Sequence, residues 1–465
     1  MTIAQRVTSQ GRLEGQDVVE LRAALRGQVL CPDDDGYDAA RSVWNATIDR
    51  RPAAIARCSG ASDVMAAVRF ARERELLVSM RGGGHNVAGS AVCDGGLMID
   101  LSPMKAIRVD PTARTARAEP GVLWQEMDRE TQAFGLATVG GVVGTTGVAG
   151  LTLGGGQGWL TGKYGLTLDN LLSADVVTAD GQLVTASATE HEDLFWALRG
   201  AGANFSVVTS FEYRLHEVGP HVLGGMVVHP ASQARDVLRF YRDFAATQPD
   251  ELTTYAGILT TPDGTQVIAL VACYAGALDE GERTLEPVRR FGSPVADTLA
   301  PIPYTEMQAI MGAGFPHGRQ NYWKSGMSRK LDDAAIDAIV EYAGRIPSPH
   351  SAIAIADCHG AYARIDSSAT AYSHRDAPFD LLIVSSWVDP AESDRNVRWT
   401  REFFGAVEPH LTHGVYVNDL DRDESEDRVR SAYGVNYERL VELKTKYDPT
   451  NFFRVNNNIK PLAHV

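Results

Sequence analysis

Cysteine is scarce. The 465 residues hold five (Cys31, Cys58, Cys93, Cys273, Cys358), an odd, scattered set with no C-x-x-C spacing. That pattern excludes a disulfide framework and a thiolate zinc site, and no metal is expected. Basic residues are outnumbered, 44 against 59 acidic, leaving a formal charge of −15. This balance opposes nucleic acid and anionic membranes as partners and favours a small neutral or cationic substrate. Long apolar runs are missing too: Met1-Thr2-Ile3-Ala4-Gln5-Arg6 leads into polar residues without the apolar core of a secretion signal, and no uninterrupted apolar span reaches membrane length. The expectation is a cytoplasmic protein in a reducing compartment, with two domains because the chain is longer than one core usually grows.

Glycine, by contrast, is concentrated in two places. Arg81-Gly82-Gly83-Gly84-His85-Asn86 follows an apolar run (Leu76, Leu77, Val78, Met80) and precedes another (Leu97, Met98, Ile99, Leu101). Three successive glycines let several N–H groups turn toward one point, a concavity suited to a pyrophosphate, with one imidazole beside it. A Rossmann fingerprint would continue into a helix. Here Gly95 and Gly96 lead to a second short strand, which argues against a nicotinamide site; a glycine turn with a solvated histidine stays open on these residues alone. The second stretch, Gly140 to Gly158, is too apolar for a linker and too glycine-rich for a helix. It reads as a buried backbone surface approached by a flat or phosphorylated ligand.

Between these loops the patterning alternates. Residues 62 to 74 read as an amphipathic helix with Val64, Ala67, Val68 and Ala71 on one face, Val122 to Phe134 as another, and Ala174 to Thr185 as a hairpin turning at Asp180-Gly181. A short helix from Asp193 and a strand from Phe205 to Leu215 follow. Beyond His216 to Pro220 the grammar changes. Helices are predicted over 231–246, 332–346 and 392–411; strands over 255–259, 266–273, 352–365, 381–387 and 415–418 would form an antiparallel sheet with one helical face.

Further segments complete a resemblance: Gly162-Lys163-Tyr164-Gly165-Leu166-Thr167-Leu168-Asp169-Asn170, Asp193 to Gly202, Ala369 to Arg375 and the tail Lys446 to Ile459. With the two glycine loops, in this order, the chain resembles the berberine bridge enzyme-like flavoproteins over almost its whole length. The resemblance implies an α+β fold of the vanillyl-alcohol-oxidase (PCMH) type. An FAD-binding domain of two α/β subdomains would span 1–218, with 425–465 returning to it, and a substrate domain of antiparallel sheet covered by helices would span 219–424. FAD would lie against Arg81, Gly82, Gly83, Gly84, His85 and Asn86, against Val143, Gly144, Thr145, Gly147, Gly150, Gly154, Gly155, Gly156 and Gly158, and against Asn456 and Asn458. His85 would be joined through its ring to the 8α carbon of FAD. The cysteine that makes a second flavin bond in many relatives is matched by Val143, so a single attachment is expected. Thr146 falls where the family controls oxygen access; hydrogen bonding to its own loop is the competing role.

Hydride removal needs a group to accept the accompanying proton. The family's glutamate is matched by Leu382, which weakens transfer of its base. Other candidates are Tyr416 in Val415-Tyr416-Val417-Asn418, Tyr322 with Lys324, and His359 with Tyr362. A tyrosine beside a cation can have a lowered pKa, although each aromatic can equally be a packing residue. Tyr416 is the first choice. The resulting expectation is an FAD-dependent oxidase acting on a small or medium alcohol or amine, with molecular oxygen reoxidising the flavin to give hydrogen peroxide. An oxygenating or dehydrogenase enzyme on the same fold is the alternative, with a non-catalytic flavin carrier behind it. His374-Arg375 and Glu190 to Asp193 read as caps rather than metal ligands.

Overall fold

Short apolar segments open the fold as strands. In the computed structural model, which describes residues 13–462 and so leaves the Met1 to Arg6 stretch outside, Ala54–Arg57, Leu97–Asp100 and Val78–Arg81 pair in parallel, and Gln28–Leu30 adds antiparallel at one edge. Leu97–Asp100 is buried along its whole length, which is why it reads as continuous apolar sequence. Helix Ala61–Glu73 makes the crossover and buries Val64, Ala67, Val68 and Ala71 against the sheet. Residues 82–96 contain no helix, so the first glycine loop leads to a strand as expected.

A five-stranded antiparallel sheet follows, in the order Ile107–Asp110, Thr115–Ala118, Ser206–Arg214, Leu171–Thr178, Leu183–Ser187. Its last hairpin turns at Gly181 with φ +76°. The expectation that the second glycine stretch holds no helix is wrong for Val148–Gly154. Thr152 holds that turn by donating to the Val148 carbonyl at 2.7 Å and pairing with the Tyr213 hydroxyl at 2.8 Å. Tertiary contacts override the low helix propensity of glycine here. Gly155, at φ +148°, ends the helix.

An eight-stranded antiparallel sheet then runs Ala296–Asp297, His221–Pro230, Gln266–Tyr274, Leu252–Thr260, Ala352–Asp357, Phe379–Trp387, Gln320–Ser328, with Ala300–Pro303 also paired to His221–Pro230. Helices Ala234–Ala245, Leu278–Arg290, Asp333–Ala343 and Ser393–Val407 cover one face. The architecture is α+β, as expected. Two of the expected strands differ. The one from Ala352 stops at Asp357, because Gly360 turns the chain at φ +64° into helix Ala361–Arg364. Val415 to Asn418 is no strand; its end forms a 3-10 turn, Val417–Asp419. Among the described residues no helix is long and apolar enough to cross a membrane.

The tail returns to the first region, where Val415, Leu420, Tyr433, Leu440 and Ile459 share a core with Trp124, Phe205 and Phe211. A fully buried ion pair pins it. Lys444 Nζ donates to Asp448 Oδ2 at 2.6 Å, the Asn204 carbonyl at 2.7 Å and the Phe453 carbonyl at 2.9 Å, while Asp448 accepts the Phe452 and Phe453 N–H groups. Removing one partner strands a charge in the core. Lys444→Ala is therefore expected to lower stability by about 3–5 kcal/mol, read as a fall in melting temperature; an unchanged melt would contradict the pin.

Candidate functional site

The two glycine loops meet main chain to main chain. A Cβ on Gly83 would lie 2.6 Å from the Gly147 Cα, and one on Gly147 would lie 2.5 Å from the Gly83 nitrogen. Between this contact and the uncovered face of the large sheet runs a cleft continuous with solvent. Gly82, Gly83, Gly84, His85, Asn86, Val143, Thr146, Gly147, Gly150 and Gly154 line it, as does Asn456. Gly150 differs from its neighbours because a Cβ there meets nothing within 4 Å and would enter the cleft.

Other residues expected at the cofactor lie elsewhere. Gly155 is small because Tyr416 presses on it, with Cε2 2.7 Å from a Cβ position; Gly156 and Gly158 are crowded by Thr167 and the Gly140 carbonyl. Gly144 rests on Gln125, and Thr145 is exposed. Arg81 runs beneath Gly84, donating to the Ala40 carbonyl. Asn458 is near the tail's end of the site but outside the lining, its Oδ1 buried without a hydrogen-bond partner. Among the described residues no lysine or arginine lines the cleft.

His85 is held by stacking on Trp44, ring centroids 4.5 Å apart at 17°. Burial pulls its pKa down to about 4, so the ring is neutral near pH 7. Its Nε2 is buried and has no hydrogen-bond partner, an expensive state for an imidazole unless another group meets it. Asn456 repeats the pattern: its Nδ2 donates to the Ala203 carbonyl at 2.7 Å, while Oδ1 is buried and unpartnered. Asn204 ties this wall together, donating to the Asn457 carbonyl and accepting the Ile459 N–H at 2.9 Å.

Tyr416 stands in the cleft wall. Its hydroxyl oxygen accepts the Gly156 N–H and the Asn418 amide, each at 2.7 Å. Burial raises its pKa, so the group is a neutral phenol whose own hydrogen remains to donate, and a role as base is disfavoured. Thr146 lines the cleft while its backbone braces the loop, N–H to the Val143 carbonyl and carbonyl to the Trp124 N–H, both at 3.0 Å.

The Tyr322 and Lys324 expectation fails by strand alternation. Trp323 faces the cleft, so its neighbours face the helices. There Lys324 pairs with Glu424 at 2.7 Å and Asp423 at 3.1 Å, and Tyr322 bonds Asp423 at 2.8 Å and Arg401 at 3.0 Å. Burial raises the Tyr322 pKa rather than lowering it. His359 is also outside the lining: Nδ1 lies 2.5 Å from Asp357, and Nε2 is 3.1 Å from the Pro249 carbonyl. Tyr362 is buried against Tyr372, hydroxyls 3.0 Å apart.

Two carboxylates that the sequence patterns did not single out, Asp380 and Asp419, both line the cleft. Asp380 was detectable as the lone charge in Phe379–Trp387, a strand whose Phe379, Leu381 and Ile383 join the helix-side core. Asp419 follows Tyr416 and Asn418 on one turn and carried no signal of its own.

The cleft fits a flavin dinucleotide: backbone glycines where a phosphate needs N–H groups, apolar walls including Leu101, Ala149 and Val207, and the unpartnered His85 and Asn456 atoms. Known proteins agree with this fit. Residues 52–187 match the FAD binding domain model and 415–460 the berberine and berberine-like model. An FAD-linked oxidoreductase of Dictyostelium discoideum is 32% identical over 456 residues, covering 97% of this chain and 98% of its own. The (R)-6-hydroxynicotine oxidase of Paenarthrobacter nicotinovorans is 32% identical, covering 94% and 97%. The crystal structure of 6-hydroxy-D-nicotine oxidase from Arthrobacter nicotinovorans superposes with a TM-score of 0.85 at 32% identity over 94% of this chain and 98% of its own. Xylooligosaccharide oxidase from Myceliophthora thermophila, in complex with xylobiose, gives 0.85 at 25% identity over 96% and 100%.

The contrasting glycines separate packing from binding. Gly83→Ala should lower both the melting temperature and the bound flavin absorbance. Gly150→Val should leave the melt within about 1 kcal/mol of wild type and reduce flavin content; equal behaviour of the two variants would contradict this assignment.

Proposed function

The chain belongs to the berberine bridge enzyme-like FAD-linked oxidoreductases, and on that footing we propose that it is an oxidase of a small or medium alcohol or amine, with its FAD attached once, through His85. The chemistry supplied by FAD when bound is acceptance of a hydride from substrate carbon and return of the electrons to oxygen, giving hydrogen peroxide. The observation that carries the reading is the His85 ring: neutral, stacked on Trp44, lining the cleft, and holding a buried nitrogen with no hydrogen-bond partner. A neutral imidazole nitrogen keeps the lone pair that a carbon–nitrogen bond requires.

The remaining residues position and exclude. Val143 offers no thiol for a second attachment. Thr146, small and on the cleft wall, leaves room for oxygen beside it. Tyr416, its oxygen already accepting two N–H bonds, points its one remaining hydrogen-bonding capacity outward as a donor, suited to hold a substrate oxygen or nitrogen. Trp323 and Tyr255 on the sheet face, with Phe315, give the substrate side an aromatic wall.

Acid-precipitated protein should stay yellow, with the mass of FAD on the peptide containing His85. His85→Ala should release its flavin on precipitation; a colourless wild-type pellet would refute the attachment. Tyr416→Phe should keep its flavin but slow anaerobic flavin reduction about ten- to a hundredfold, as expected where the Gly156 and Asn418 donors lose their acceptor and the substrate loses its donor. Dithionite-reduced protein should reoxidise promptly in air; slow reoxidation would refute an oxidase.

A further inference from the structure

Buried charge needs a counterion, and one part of the cleft supplies none. Asp380 projects from the uncovered face of the large sheet and is 4% exposed. Its Oδ2 accepts from Gln157 Nε2 at 3.0 Å, and its Oδ1 is buried with no hydrogen-bond partner. Asp419 lines the same cleft one residue beyond Asn418. Titratable side chains beside Asp380 include Tyr255, Cys358, Tyr362, Tyr372, Tyr416 and Asp419, and among the described residues no lysine, arginine or histidine pairs with either carboxylate. Arg375, stacked on Tyr362 and Tyr372, is committed to Asp169 through bonds of 2.8 and 2.9 Å. Lys324 is turned to the helix face and paired there.

Two carboxylates in one low-dielectric site do not both ionise. Burial pushes Asp380 up to about 6, and burial together with the Asp380 charge pushes Asp419 well above the usual carboxylate range. The pair therefore favours one proton and one negative charge over two charges, and the side chains that bond it, Gln157 and Ser325, are neutral. Such an anion is costly unless a ligand completes it.

We propose that Asp380 and Asp419 form the binding site for the ammonium group of the substrate, so that the enzyme selects amines over alcohols of the same shape. This rests on the oxidase reading above and assigns its substrate class. An entering ammonium neutralises the pair. Transfer of one proton breaks an N–H bond and forms an O–H bond on the pair, leaving a neutral amine and a doubly protonated, neutral pair. The freed nitrogen lone pair is what loss of hydride from the adjacent carbon requires.

The test uses flavin-loaded protein and two ions that have no N–H to lose, tetramethylammonium and benzyltrimethylammonium, with tert-butanol and benzyl alcohol as neutral counterparts. Binding is read at pH 8 from the shift of the flavin absorption band and by calorimetry. At least one ammonium ion is expected to bind ten or more times tighter than its counterpart. That preference should fade as the pH falls through about 6, where Asp380 takes up its proton, and should vanish in Asp380→Asn and Asp419→Asn while alcohol affinity is kept. Ammonium ions that bind no better than alcohols, or a preference surviving in the double variant, would overturn the proposal. If a variant melts early, the pH dependence in wild-type protein decides. Protein that binds alcohols and is reduced by them but ignores ammonium refutes this inference and leaves the oxidase reading standing; protein that carries no flavin refutes the oxidase reading itself.

Discussion

The contact between Gly83 and Gly147 is the constraint from which the site follows. Two backbones approach with no room for a methyl group between them, and that closeness fixes where the loop carrying His85 begins and where the loop carrying Val143 and Thr146 ends. Each loop is anchored beside this contact by ordinary structure: strand Val78–Arg81 before the first, helix Val148–Gly154 after the second. Glycine's entropic cost on folding is offset here by the surface that only bare main chain can present to a phosphorylated ligand.

On the opposite wall the two-residue period of a strand decides chemistry. The same alternation that sends Phe379, Leu381 and Ile383 into the core sends Asp380 and Leu382 to the cleft, and one strand over it sends Trp323 to the cleft and removes Tyr322 and Lys324 from it. A shift of register by one would exchange those sets. The charged groups on the helix side find partners in Asp423, Glu424 and Arg401; on the cleft side Asp380 is met by the neutral amide of Gln157.

Much of this was readable in the residues. Glycine clusters, the strands on either side of the first loop and the 255–273 hairpin all rest on local patterns, and the family's motifs supplied the cofactor and the α+β class. What stayed hidden depended on distant partners. Nothing local shows that Val148–Gly154 is helical, since its stability comes from Tyr213 and the packing around it. Which face of Gln320–Ser328 meets the cleft is set by pairing with Phe379–Trp387, and Asp419 gains meaning only from Asp380, far earlier in the chain. Gly155, Gly156 and Gly158 belong to the glycine stretch by composition but to the packing of Tyr416 and Thr167 by position.

The ion pair at Lys444 carries a consequence for biosynthesis. Asn204, Asn456 and Asn457 share one wall of the cleft, and the chain segment that completes it is locked down through Asp448 and Phe453. A ribosome adds that segment hundreds of residues after the glycine loops have emerged. The cleft therefore has its full wall only once the closing segment has been made.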